Sequence, residues 1–117
     1  RNTPVLGICR GMQFINYFQG GSIRPQVGHS NLRHNIYGPI TNNLYWEVNS
    51  FHNYVIKKND LGNQLEPIAW SQDDGSIEAL KHIKLPWLGI MWHPERESPI
   101  KNHDHDIICE HLKGLKN

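Results

Sequence analysis

The sequence predicts an α/β fold with antiparallel strands added to it, and three observations carry that expectation. The apolar stretch Pro4–Cys9 passes through a glycine-flanked turn into a segment of helical period. The run Trp87-Leu88-Gly89-Ile90-Met91-Trp92 is continuously apolar, as a strand covered on both faces must be. The last third closes on an amphipathic segment, so strands and helices share one core.

In chain order, Val5, Leu6 and Ile8 mark a first strand bounded by Pro4 and Gly7. Gly11 to Gln19 is expected to be helical, with Met12, Ile15 and Phe18 on one stripe and Gly20-Gly21 as the stop. Residues 22 to 43 are rich in turn formers; short strands are expected near Ser22–Arg24 and Asn35–Ile40. Leu44 to Tyr54 alternates in part. Lys57 to Gln64 is polar and is expected to be a solvated turn. Glu66–Ser71 and Ser76–His82 form a hairpin across Asp73-Asp74-Gly75, with Glu78 and Lys81 expected at exposed positions. Asp104 to Lys116 is expected to close the chain as a helix that packs Ile107, Ile108, Leu112 and Leu115.

At 117 residues the chain suffices for one domain with a real core. It opens on Arg1 and enters a buried-looking strand almost at once, so residues 1–117 are expected to be one domain that forms the C-terminal portion of a longer one. Twelve basic residues oppose eleven acidic ones and no basic block occurs, which gives no electrostatic footprint for nucleic acid. No apolar run approaches the ~20 residues of a membrane span. Two distant cysteines, Cys9 and Cys109, make no disulfide framework and no metal pair, consistent with a reduced, cytoplasmic protein.

The segment Gly7-Ile8-Cys9-Arg10-Gly11 places a cysteine between glycines where a strand becomes a helix. That is a nucleophile elbow with sulfur in place of a serine hydroxyl. The turn strains the backbone and tolerates little bulk nearby. The helix amides beneath the sulfur favour thiolate, and the Arg10 amide can donate to an oxyanion. His93-Pro94-Glu95 follows the most apolar strand, at the strand end where α/β sheets place their chemistry. His93 can take the proton of Cys9, and Glu95 can fix the imidazole tautomer. Read singly, each is a buried thiol, a core histidine and a surface carboxylate; together they have the roles of a triad. His103-Asp104-His105-Asp106 offers metal-ligand types, but neighbouring helical side chains diverge, and a solvated helix start explains them. His29 and His34 are expected in a surface loop, His34 near the pocket, and Cys109 as a packing residue. Trp46, Trp70, Trp87 and Trp92 fall in strand-like stretches and are expected in the core rather than on a stacking platform.

Taken together, GICRGMQ, Val48-Asn49-Ser50-Phe51-His52 and GIMWHPE resemble class I glutamine amidotransferases, most closely the γ-glutamyl-γ-aminobutyrate hydrolase branch. The resemblance covers essentially the whole chain. It implies a flavodoxin-like fold with a central, mostly parallel sheet whose N-terminal part is missing here. It also implies hydrolysis of a γ-glutamyl amide through a thioester on Cys9, with His93 as acid and base, Glu95 as its orienter and the Arg10 amide as one oxyanion donor. Gln13, Ser50, Phe51 and His52 match positions lining the substrate pocket, in part through backbone groups. The glycine-bearing loop that gives the family a second oxyanion donor has no match. WHPE followed by Arg96-Glu97, with Asn49-Ser50-Phe51-His52-Asn53-Tyr54, further resembles bacterial γ-glutamyl-CDP-amidate hydrolases linked to capsule phosphoramidate synthesis. The implied partner is a small γ-glutamyl substrate, with no cofactor and no metal. Three alternatives stay open: a glutaminase subunit feeding ammonia to a synthetase, a homo-oligomer, and a truncated, inactive binding subunit. A serine-hydrolase-like arrangement fits less well, since its acid precedes the histidine and Glu95 follows His93.

Overall fold

The structure is a computed structural model that describes residues 3–113. In chain order the elements are β1 (Val5–Ile8), α1 (Arg10–Phe18), β2 (Arg24–Pro25), β3 (Leu32–Tyr37), β4 (Trp46–Ser50), β5 (Tyr54–Val55), β6 (Leu65–Ser71), β7 (Ile77–His82), β8 (Trp87–Ile90) and α2 (Asn102–Leu112). Six strands form one sheet in the order β1-β8-β7-β6-β3-β4, and β2 pairs with β5 beside it. Among the described residues only β1 and β8 pair in parallel; the other pairs are antiparallel. The mostly parallel sheet implied by the resemblance is therefore confined to one pair here. Connectivity is the reason: β6, β7 and β8 follow one another through short turns, and a parallel pairing needs a long crossover.

Two apolar clusters sandwich the sheet. Met12 and Ile15 of α1 pack with Ile77, Leu80 and Met91 on one face. Leu88, Ile90 and Trp92 pack with Ile36, Val48 and Ile107 on the other, beneath α2. Full burial of side chains such as Met12 or Ile90 contributes about 1.5–3 kcal/mol each. The helix α1 ends where Gly20 turns to φ 88° and the amides of Gly20 and Gly21 close on the carbonyls of Tyr17 and Asn16. Its outer face leaves Phe14, Tyr17 and Phe18 exposed, and β1 lies at the sheet edge.

Several expectations shift. The strand expected at Asn35–Ile40 lies at Leu32–Tyr37, because Gly38, at φ 151°, and Pro39 break the ladder and start a 3₁₀ turn. The strand expected at Ser22–Arg24 is β2, set one residue later. The closing helix begins at Asn102 and is described to Leu112; Leu115 and Lys116 lie outside the described residues. The polar stretch 57–64 is not wholly solvated. Asp60 is buried there and takes two hydrogen bonds of 2.8 Å from Arg24. Asn16, buried in mid-helix, donates to the carbonyls of Ser22 and Asp60 and accepts from the Gly62 amide at 2.7 Å, so its carboxamide stitches this turn to α1. Of the tryptophans Trp92 is fully buried, while Trp46, Trp70 and Trp87 are half-buried. Cys109 is exposed rather than packed, on the solvent side of α2. His29 and His34 are buried rather than superficial, and so is Glu78, while Lys81 is exposed as expected. The register of β7 against β6 shifts between Ala79 and Ile77, and Glu78 is the extra residue at that irregularity. Among the described residues no helix is long and apolar enough to cross a membrane.

Candidate active site

The elbow has the geometry that its residues require. Cys9 stands between β1 and α1 at φ 53°, ψ −98°, a left-handed conformation that costs a non-glycine residue on the order of 1–3 kcal/mol. Its amide donates to Ile90 O at 2.7 Å and its carbonyl accepts from Gln13 N at 3.0 Å, so the strained residue is pinned on both sides. The two flanking glycines are not equivalent. A Cβ on Gly7 would lie 2.6 Å from the Gly11 carbonyl carbon, so the helix sits on the strand only because Gly7 has none. A Cβ on Gly11 would meet nothing within 4 Å. Bulk is thus excluded before the cysteine and not after it.

Cys9 is buried, and burial pushes its thiol above the ordinary value. The Arg10 amide and the charges of Arg10 and Arg96 pull it back down only in part, and Glu78 opposes them. The Arg10 amide at the helix terminus thus acts in the expected direction but is outweighed by burial. His93 follows the strand paired with β1. β1 and β8 run in parallel register, Ile8 opposite Ile90, so both chain segments leave the sheet at the same end. His93 Nδ1 lies 2.6 Å from Glu95 Oε2 across the 3₁₀ turn Pro94–Arg96. With Nδ1 given to the carboxylate, Nε2 is the nitrogen left for chemistry.

Asn49 was not singled out by its chemistry in the sequence, yet it fixes His93 most directly. Its carboxamide makes a reciprocal pair with the His93 backbone, accepting from the amide and donating to the carbonyl, each at 2.8 Å. It also donates to Glu97 Oε2, which Arg33 holds at 2.9 Å. Beside Glu47 and Ser50 in the strand Trp46–Ser50, Asn49 does not stand out by polarity; its burial is what demands partners.

A cavity of about 240 Å³ opens beside the sulfur, lined by Cys9, Arg10, Gln13, Ile23, Phe51, His52, Asn53 and Tyr54. Gln13, Phe51 and His52 thus stand where the motifs placed them. Ser50 does not: it is fully buried, and its hydroxyl donates to the His29 carbonyl behind the pocket wall. Phe51 links the two halves of the site, its ring 6.1 Å from that of His93 and capped by the Arg96 guanidinium at 4.4 Å. Asn53 and Tyr54 continue the Asn49–His52 motif and Arg96 follows WHPE, whereas Ile23 carries no motif-level signal and precedes β2, which pairs with β5. The His103-Asp104-His105-Asp106 run is only in part the solvated helix start expected. Asp104 is buried and accepts from Trp92 Nε1 at 3.0 Å, which ties α2 to β8, while His105 and Asp106 face solvent.

Comparison with known proteins agrees with this geometry. The family model for class I glutamine amidotransferases matches residues 1–113. The γ-glutamyl-CDP-amidate hydrolase of Campylobacter jejuni is 38% identical over 85% of this chain and 46% of its own length. Anthranilate synthase component 2 of Pseudomonas putida is 33% identical over 94% of this chain and 60% of its own. The chain thus spans about half the length of the curated relatives it matches. A solved Thermoplasma acidophilum protein ascribed to a GMP synthase superposes with a TM-score of 0.79 at 24% identity, over 96% of this chain and 57% of that one. That last likeness is one of fold, a flavodoxin-like α/β arrangement.

Proposed function

Because this chain belongs to the class I glutamine amidotransferases, we propose that it carries the hydrolytic centre of that family, with Cys9 as nucleophile toward a γ-glutamyl amide. The observation that carries the reading is the strained Cys9 elbow on β1, set in parallel register with the strand that delivers the His93–Glu95 pair. His93 takes the thiol proton as sulfur bonds to the γ-carbonyl carbon, and the Arg10 amide donates to the developing oxyanion. His93 then gives that proton to the leaving nitrogen, the C–N bond breaks and a γ-glutamyl thioester remains on Cys9. Water attacks the thioester with His93 as base, the C–S bond breaks, and glutamate leaves as the thiol is restored. Glu95 holds the tautomer throughout, and Gln13, Phe51 and His52 wall the glutamyl end. No step calls for a cofactor or a metal.

Within the family, the similarity to the Campylobacter jejuni enzyme favours γ-glutamyl-CDP-amidate as substrate. The similarity to anthranilate synthase component 2 favours a second reading, a glutaminase that passes ammonia to a synthetase partner. The free edge of β1 and the exposed aromatic face of α1 suit the packing of further residues of a longer domain, in keeping with the share of the relatives that the chain spans. Both cysteines are free thiols, which suits a reducing bacterial cytoplasm.

The test is glutamate release by the longest natural polypeptide that contains these residues. Substrates are glutamine, γ-glutamyl-γ-aminobutyrate and γ-glutamyl-CDP-amidate, each beside a Cys9→Ala control. Release that is fastest from γ-glutamyl-CDP-amidate and lost in the control is the expected result. Release from glutamine only in the presence of a synthetase would favour ammonia delivery. No release from any substrate would leave a binding subunit.

A further inference from the structure

The buried side chains behind the pocket form a second constellation that the hydrolytic reaction does not use. Glu78, on β7, is 1% exposed, yet neither of its carboxylate oxygens has a hydrogen-bond partner among the described residues. Three imidazoles aim a ring nitrogen at it: His34 Nε2 at 3.4 Å, His29 Nδ1 at 3.6 Å and His52 Nε2 at 3.8 Å. Those nitrogens are equally unsatisfied. The separations exceed the roughly 2.7–3.2 Å of an N–H···O bond. Leaving one buried carboxylate and three buried imidazole nitrogens unpaired would cost several kcal/mol.

The opposite side of each ring explains what the inward nitrogens carry. His29 Nε2 lies 2.6 Å from Asp74 Oδ2, and Asp74 is itself fixed by the Ser76 amide and hydroxyl. His52 Nδ1 donates to the Tyr54 carbonyl at 2.9 Å, and His34 Nδ1 faces the Ser71 hydroxyl at 3.4 Å. With its Nδ1 proton given to the Tyr54 carbonyl, His52 points a lone pair at Glu78, and His29 does the same whenever it is neutral, its Nε2 proton given to Asp74. Such an arrangement repels itself unless a cation lies between them. Carboxylate, carbonyl and hydroxyl groups behind the imidazoles are also what orient histidines that bind metals.

We propose that His29, His34 and Glu78 bind one divalent transition-metal ion, with His52 completing the set from the pocket wall. The inward atoms of His29, His34 and Glu78 all lie within 4.8 Å of one another. Four ligands at about 2.0–2.2 Å around a tetrahedral ion stand roughly 3.3–3.6 Å apart. The imidazole-to-Glu78 separations of 3.4–3.8 Å are near that, and the three inward groups would close by up to an ångström or so on an ion. Three imidazoles and one carboxylate favour zinc, or its neighbours in the first row, over magnesium or calcium. The ion would neutralise Glu78 and Asp74 together. Its place is structural: the His29 carbonyl accepts from Ser50 Oγ and the His52 amide, so the ion would tie this loop to the wall beside Cys9.

Anaerobic titration of the metal-free chain with Co²⁺ tests this, in a His105→Ala/Cys109→Ser background that removes the exposed pair on α2. The expected result is one Co²⁺ per chain with the visible bands of a tetrahedral site, displaced by Zn²⁺. His34→Gln abolishes those bands, and Asp74→Asn weakens binding roughly 10–100-fold. Circular dichroism confirms that each variant is folded. No uptake by the folded chain, or uptake unchanged by His34→Gln, overturns the proposal. So does ¹⁵N NMR that shows His29 doubly protonated at neutral pH in a chain that takes up no metal, since an imidazolium would then stand in the ion's place.

Discussion

Two carboxylates meet imidazoles in this molecule, and they do so under opposite conditions. Glu95 is about half exposed on a 3₁₀ turn and sits 2.6 Å from a single histidine that reaches the reacting sulfur's end of the sheet. Glu78 is sealed in the interior among three histidines, none within hydrogen-bonding distance. Solvent screens the first pair, so its contribution to folding is small and its value lies in fixing a tautomer. The second group is cut off from water, so its charge must be met inside the protein, and its value lies in what it holds together. The same residue type thus meets histidine at the solvent-facing rim in one place and deep in the core in the other.

Substitutions that separate the two roles should do so cleanly. Glu78→Ala has the largest expected effect, lowering unfolding free energy by roughly 3–5 kcal/mol because it leaves three buried imidazoles facing a hole. Urea denaturation measures it, and a loss below ~1 kcal/mol would remove the contrast. Glu95→Gln should leave the urea midpoint nearly unchanged but lower kcat by about 100-fold, or ~2.7 kcal/mol in the barrier. Equal losses of stability in the two variants would break the comparison. Asn49→Ala should fall between them. It strips the reciprocal bonds from the His93 backbone, costing about 1–3 kcal/mol of stability and roughly 10-fold in kcat, with KM little changed. The smallest effect concerns pH. Hydrogen bonds from Arg24 hold Asp60 below the usual carboxylate range, against the opposing push of burial. A depressed folded value means stabilisation that is present above the unfolded value of about 3.9 and lost as pH falls through the folded one. Asp60→Asn should lower stability modestly near neutral pH, flatten the acid limb and leave stability little changed at low pH, as urea denaturation across pH would show.

The rim site was more legible in the sequence than the core cluster, for a physical reason. Cys9, His93 and Glu95 lie at ends of elements, where a glycine turn and the stop of an apolar run advertise themselves. The β6–β7 hairpin and β8 were equally plain, since period and turn chemistry are local. His29, His34 and Glu78 are 5 and 44 residues apart along the chain, and they meet only because β3, β6 and β7 are neighbours in the sheet. No local pattern announces that, so their polarity read as surface. Glu78 stands between Ile77 and Ala79 where an outward residue is expected, and the register shift of β7 against β6 at that point has no local signal. Ser50 misled in the other direction: its motif placed it at the pocket, but the pleat turns its hydroxyl toward His29. Gly11 was granted a steric role that the open space around it does not require.

The central claim is that Cys9 carries the γ-glutamyl group, and acid quenching during turnover tests it most directly. Intact-mass spectrometry followed by peptide mapping should find one glutamyl group added to the peptide bearing Cys9, none on the peptide bearing Cys109, and none in Cys9→Ala. The adduct should accumulate when His93→Asn slows its hydrolysis. Glutamate release from the Cys9→Ala protein at the unsubstituted rate, with no adduct on Cys9 at any time, would contradict the claim.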